Sequence, residues 1–293
     1  MSDYRYTAVI ATVSNSFCDA ILDYSVNRFN YQKVLFLTCL VAFIGQVIIG
    51  LFTDISFTSA SSLYIIIHAF LVLIGYICFI RSLEFIPIAL VGLIETSSLF
   101  LTFVIDAIVG YVNISFYFIS MLVLFIFSIF LFTENCLEKS SDCVKKIKPV
   151  GFVLIMLSVI FYLAAPYLIK ISNHYGANEI AINLGYYFIA VPYFCFQYLK
   201  SSKNIGHISI VKTKCWNNLY VLCLIIGSLE TLYYIFETFS FINDAPTIVI
   251  IIEQMRIFLL FILSVIFGTD KFTIKKFIAL ILGSISVTGI YFS

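Results

Sequence analysis

The chain has 293 residues, of which 62% are hydrophobic, 17% aromatic and only 11% charged, with a mean hydropathy of +1.07 and a formal net charge of +1. A soluble domain carries about 25% charged residues, so this composition excludes one and points to lipid as the solvent. The near-neutral balance, without a basic stripe, argues against a nucleic-acid partner.

A helix crosses the hydrocarbon with about 20 mostly apolar residues, because every backbone N–H and C=O must be satisfied within the segment. Apolar runs, read against their polar punctuation, predict helices near 6–24, 33–52, 62–83, 87–106, 114–132, 149–170, 178–199, 218–240, 245–267 and 273–292. The expected fold class is all-α integral membrane, with ten transmembrane helices in two inverted five-helix repeats.

In chain order, the first helix has no basic n-region and no small-residue cleavage site, so it reads as a span and not as a secretory signal. Asn15, Asp19 and Asp23 recur on one of its faces, and Asn15 and Asp19 are candidates to reach a cavity. The third helix carries Tyr76 and His68; a lone histidine in a span is more simply a hydrogen-bonded core residue than a proton relay. Arg81 and Glu84 flank its end, Arg81 as a snorkelling anchor. On the fourth, Glu95, Ser98, Thr102 and Asp106 form one polar stripe; Glu95 is expected to face a cavity and Asp106 to sit at the water boundary beside Gly110.

The polar stretch from Thr133 to Lys148 is the natural joint, giving a first repeat over 1–138, a linker over 139–148 and a second repeat over 149–293. The seventh helix presents Glu179, Asn183 and the Tyr186-Tyr187 pair. On the eighth, Glu230, Tyr233, Tyr234 and Glu237 fall at i, i+3, i+4 and i+7, which places all four on one face. Ionised side chains in the bilayer cost a few kcal/mol on insertion scales, so two carboxylates on one stripe must face protein or water. Tyrosine rings between them attract a cation by roughly 0.5 to 2 kcal/mol each. On the ninth, Glu253 and Arg256 lie three residues apart. They read either as an intrahelical ion pair or as a cavity acid beside an arginine free to take a substrate carboxylate.

The eight cysteines show no CxxC spacing and read as small hydrophobes. The offset that lays Glu95 on Glu253 also lays Gly110 on Gly268 and Tyr76 on Tyr234. Five helices per half is an odd number, so two homologous halves must lie upside down with respect to each other, the plan in which a site forms at the bilayer midplane. Lysine and arginine crowd the odd-numbered connections, leaving only Arg5 and Lys170 on the other side. The positive-inside rule then puts the odd connections in the cytoplasm and both termini outside.

The chain resembles the drug/metabolite transporter superfamily, in particular its EamA-type ten-helix members, over essentially its whole length. The residues that carry the resemblance are Ala245-Pro246-Thr247 leading into Ile252-Glu253-Gln254, then Phe267-Gly268-Thr269-Asp270, and Leu282-Gly283 through Gly289-Ile290-Tyr291, with Ser14-Asn15-Ser16-Phe17 in the first helix. Gln254 stands where the family commonly has proline, and Asp270 where it has glutamate beyond the glycine. The resemblance implies a secondary carrier whose third, fourth, eighth and ninth helices line the cavity.

The expected function is transport of a small amine-bearing, zwitterionic or quaternary ammonium metabolite by alternating access. Glu95, Glu230, Glu237 and Glu253 are the candidate substrate or proton sites, Arg256, His68 and Asn15 accessory polar groups, and Tyr76, Tyr233 and Tyr234 aromatic walls. A non-transporting scaffold or partner subunit, or a carrier of organic anions such as sugar phosphates or nucleotide derivatives, is the alternative. No phosphate loop, HExxH or GxSxG motif points to an enzyme, and no cofactor or metal is expected. The expected partners are a substrate and the lipid bilayer, with a homodimer allowed, and the expected location is a bacterial inner membrane.

Overall fold

The computed structural model describes residues 5–26, 29–82, 85, 99, 101–112, 115–139, 149–202, 218–256, 258–259, 262–263 and 273–291. Among these, all regular structure is helical: α1 (Arg5–Val26), α2 (Tyr31–Phe52), α3 (Ser59–Ser82), α4 (101–109), α5 (Phe116–Lys139), α6 (Pro149–His174), α7 (Glu179–Ser202), α8 (Leu219–Asn243), α9 (Pro246–Gln254) and α10 (Ile274–Tyr291). Five of them, α2, α3, α6, α7 and α8, are long and apolar enough to cross a membrane. Most described ends fall within a few residues of expectation. The exceptions are α5, which continues past 132 into the polar stretch as far as Lys139, and the ninth segment, which turns at Met255 where an unbroken helix was expected to 267.

The helix starts follow from short polar residues. Asn30 caps α2 by accepting from the Lys33 N–H at 3.0 Å, Ser115 caps α5 through the Phe118 N–H at 3.0 Å, and Asn178 caps α7 through the Ala181 N–H at 3.1 Å. Thr58 and Ser61 form a reciprocal pair at the start of α3: the Thr58 N–H donates to Ser61 Oγ at 2.8 Å and the Ser61 N–H to Thr58 Oγ1 at 3.1 Å. α4 ends at Gly110, whose φ of 83° allows the Tyr111 N–H to close on the Asp106 carbonyl at 2.8 Å. Prolines inside α6 (Pro166) and α7 (Pro192) are tolerated, as they are in membrane helices whose freed carbonyls find other partners.

The outward faces are apolar. Phe116 is 88% exposed, Phe52 86% and Ile108 80%, whereas Thr38, Gln46, Thr102, Asp106, Asn183 and Thr247 are buried. Apolar exposure on this scale exceeds what water tolerates on a monomer, and lipid is the environment that fits it.

The chain divides into two compact units, each drawing on both halves of the sequence. One comprises residues 10–70 and 168–242, hence most of α1, all of α2, the first half of α3, the end of α6, and α7 and α8. Here α2 packs along α7 in antiparallel fashion: Asn30 Nδ2 reaches Ser201 Oγ at 3.5 Å, Phe36 stacks on Tyr198, Phe43 meets Phe188 edge-on, and Gly50 lies against Ile180. α8 runs alongside α2 in the same direction, with Gly227 against Thr38 and Val41 and then Thr231 against Ala42 and Gly45.

The other unit comprises residues 1–9, 71–167 and 243–293. Its main pairing is α5 along α10, also antiparallel: Gly289 lies against Tyr117 and Met121, and Gly283 against Ser128. Small residues at both contacts let backbones approach closely, the usual basis of helix association in lipid.

Candidate functional site

α7 and α8 of the first-described unit bring four tyrosines together. The ring centroids of Tyr186, Tyr187 and Tyr234 lie 5.1, 5.4 and 5.7 Å apart pairwise, and Tyr233 packs on Tyr234 at 4.9 Å. The arrangement follows from helix geometry. Consecutive Tyr186 and Tyr187 splay around α7, consecutive Tyr233 and Tyr234 do the same on α8, and the facing members interleave. At these separations the three rings touch one another, so the group is closed.

Glutamates lie on both sides of it along α8. The Tyr187 hydroxyl donates to Glu230 Oε1 at 3.5 Å, a long contact, and the Tyr233 hydroxyl donates to Glu237 one turn on. Asp19 of α1 and Cys39 of α2 lie within electrostatic range of Glu230, and Cys18 of α1 within range of Tyr187. Four helices therefore converge on Tyr187 and Glu230: α1, α2, α7 and α8.

Two amides clamp α8 in place. Asn183 Nδ2 donates to the Tyr234 carbonyl at 3.1 Å while its Oδ1 accepts from Thr238 Oγ1 at 2.8 Å, so the side chain is satisfied at both ends. Gln46 Nε2 donates to the Thr231 carbonyl at 3.3 Å, but its Oε1 is buried without a partner. A buried acceptor left unpaired costs about 1–3 kcal/mol.

The expected site residues are distributed over both units. Glu230, Tyr233, Tyr234 and Glu237 fall in the four-tyrosine group, joined by Tyr186, Tyr187 and Asn183. His68 and Asn15 belong to the same unit; His68 is buried on α3 with Nδ1 unpaired, and Asn15 is half-buried on α1. Tyr76, Glu253 and Arg256 belong to the other unit, all half-buried. Glu95 and Ser98 lie outside the described residues. Glu253 and Arg256 do not sit on one face of an uninterrupted helix: the Met255 N–H bonds the Ile252 carbonyl and the Phe258 N–H the Met255 carbonyl, three-residue closures that tighten the backbone between the two side chains.

Asp106 is corrected most sharply. Expected at the water boundary, it is fully buried. Oδ1 accepts from the Tyr167 hydroxyl of α6 at 2.8 Å, and Oδ2 accepts from the Thr247 N–H at 2.7 Å, in the first turn of α9. α9 opens with Pro246 and has Ala245 at its N-cap, which offers no side-chain acceptor. Asp106 supplies from α4 the carboxylate that a helix N-terminus attracts. The adjacent Asp244 holds Arg5 at 3.2 Å and accepts from the Ala245 N–H. Lys276, inside the helix expected over 273–292, is buried in the first turn of α10.

Three structural features carry no signal in the sequence. Gln46 stands alone among apolar neighbours and gave no periodic signal. The capping role of Asp106 depends on a residue 141 positions away. The convergence of α1 and α2 on Glu230 is tertiary. No group of three or more His, Cys, Asp or Glu suited to a metal ion occurs among the described residues.

No protein-family model matches this sequence, and no curated protein matches it. The fold recurs among solved structures. One, described only as a crystal structure of a protein, superposes with a TM-score of 0.75 at 13% identity, covering 99% of this chain and 96% of that chain. Likeness at that identity concerns the fold alone.

Proposed function

We propose that this protein is a multi-pass membrane carrier of the drug/metabolite transporter type, moving a small amine-bearing, zwitterionic or quaternary ammonium compound by alternating access. The observation that carries the proposal is Glu230, a carboxylate within an apolar helix, set against a three-ring tyrosine group and reached by Tyr187. A carboxylate so placed favours a positively charged ligand, and π faces beside it add to that attraction.

The plan of two inverted five-helix repeats, 1–138 and 149–293 joined by 139–148, draws support from the helix pairs. A two-fold axis in the membrane plane relates each helix to the one five places on and makes the two run antiparallel. The α2–α7 and α5–α10 pairs have that relation. Both units also tie even-numbered connections together: Thr58 Oγ1 donates to the Tyr175 carbonyl at 2.7 Å in one, and Asp106 accepts from Thr247 in the other. Spans that alternate in direction would produce such ties, whichever side the termini lie on.

The test is thermal stabilisation of the purified protein by amines, quaternary ammonium compounds, amino acids and sugar phosphates, in wild type and Glu230→Gln. A ligand that binds the folded state raises its apparent stability by mass action. Amines should stabilise the wild type and lose that effect in the variant; stabilisation by phosphates alone would overturn the proposal. The closed packing of the rings favours one rival, a scaffold whose tyrosines serve as core. In that case Glu230→Gln shifts the melting temperature and no ligand does.

A further inference from the structure

Asp106 has acceptor capacity that its capping role does not use. An ionised carboxylate offers about four lone-pair sites. Two are taken here, Oδ1 by the Tyr167 hydroxyl at 2.8 Å and Oδ2 by the Thr247 N–H at 2.7 Å. Both donors are neutral, and Asp106 makes no ion pair among the described residues. The N-terminus of α9 supplies the equivalent of about half an elementary charge. The rest of the charge on this fully buried carboxylate is uncompensated, which favours a cation beside it.

A second, independent deficit lies next to it. Thr247 is fully buried, and its Oγ1 has no hydrogen-bond partner. That oxygen is three bonds from the nitrogen that contacts Asp106 Oδ2, so it stays within about 6 Å of Oδ2 in every rotamer. The two oxygens do not bond each other, and a single ion between them serves both. Tyr167 Oη, on the other carboxylate oxygen, also reaches the Thr102 carbonyl at 3.4 Å. Carboxylate, hydroxyl and carbonyl form an oxygen-only set, the kind that hard cations take. One negative charge matches a monovalent ion, and the close quarters admit an ion but not the carbon skeleton of an amine.

We infer that Asp106, Thr247 and Tyr167 form a binding site for a small monovalent inorganic cation such as sodium. Asp106 stands one turn before Gly110, where α4 ends, and Tyr111 beyond it is exposed, so the ion enters from the α4–α5 connection. Once bound, it ties α4, α6 and α9 together within one compact unit. A carrier with such a site has a cation gradient to draw on. The inference goes beyond the amine reading of the tyrosine group and does not depend on it.

The experiment is thermal unfolding of the purified full-length protein as choline chloride is exchanged for sodium chloride at constant ionic strength. Sodium should raise the unfolding temperature saturably, as a ligand of the folded state does, and choline should not. Thr247→Val removes the hydroxyl but keeps the N–H to Asp106 and the shape of the side chain. It should shift half-saturation to about tenfold more sodium. In choline its unfolding temperature should be unchanged or higher, because an unpartnered buried hydroxyl is lost with it. A merely structural Thr247 would leave the sodium response as in the wild type. Asp106→Asn should abolish that response, and Thr247→Val carries the test should Asp106→Asn fail to fold. Equal unfolding in sodium and choline, or a sodium response that Thr247→Val does not change, would overturn the site. Stabilisation by acid alone, equal in the two salts, would show Asp106 held as a neutral acid and would overturn it as well.

Discussion

Single residues decide most of the chemistry here, and Asp106 shows how far one can act from its own helix. Replacing it with leucine leaves the Tyr167 hydroxyl and the Thr247 N–H buried without an acceptor, at about 1–3 kcal/mol each. Asp106→Leu should lower the unfolding free energy by about 2–5 kcal/mol, and Asp106→Asn, which keeps an oxygen for Thr247, by less than half as much. Denaturant unfolding in detergent reads the difference, and equal losses in the two variants would remove the capping role. At the tyrosine group the ring should matter more than the hydroxyl, since Tyr187 reaches Glu230 only at 3.5 Å. Tyr187→Phe should change amine affinity by less than about threefold and Tyr187→Ala by more than about tenfold, measured by calorimetry. The glutamates and tyrosines of α8 were legible in the sequence because helical spacing puts them on one face. Gln46 and Asp106 were not, because an isolated polar residue carries no period and its partner lies in another helix.

At the scale of elements, the helices were legible nearly to their caps, since lipid demands long apolar runs and Asn, Ser and Thr mark where they begin. The break at Met255 was not, because neither glycine nor proline stands there. Helix contacts separate two kinds of glycine. A Cβ on Gly227 would lie 2.8 Å from the Thr38 carbonyl oxygen and 2.6 Å from Val41 Cβ, so α2 and α8 would have to move apart. A Cβ on Gly289 would meet the Met121 Sδ at 2.8 Å and the Tyr117 hydroxyl at 2.9 Å, the far ends of side chains that can turn aside. Gly227→Ala should therefore cost about 1–3 kcal/mol and Gly289→Ala less, compared by thermal unfolding. The reverse order would mean that α2 and α8 are free to shift.

For the molecule as a whole, composition alone dictated a helical membrane protein, whereas the way helices group did not follow from chain order. Each compact unit mixes helices from both halves, which linear reading divides at the 139–148 linker. The two basic residues on the sparsely charged side are both engaged: Arg5 pairs with Asp244, and Lys170 Nζ donates to the Ile242 carbonyl at the end of α8, where a helix favours positive charge. Both residues therefore have local partners. In a cysteine-free background, Phe57→Cys in the α2–α3 connection should react with an impermeant thiol reagent in intact cells. Tyr220→Cys, at the start of α8, should react only after permeabilisation. The opposite pattern would invert the proposed topology.

The bond between Gln46 and Thr231 spans 185 residues, and that separation has a consequence for biogenesis. At about 5–20 residues per second of synthesis, α2 waits on the order of 10–40 seconds in the bilayer before α8 exists to receive its amide. During that interval Gln46 lies in lipid without the helix that shields it, and the α7 partner of α2 is also missing for most of the time. The first five helices can insert one by one as they emerge, but their packing has to wait for the second half to be made. A nascent chain stalled within the linker should therefore be inserted yet open to degradation.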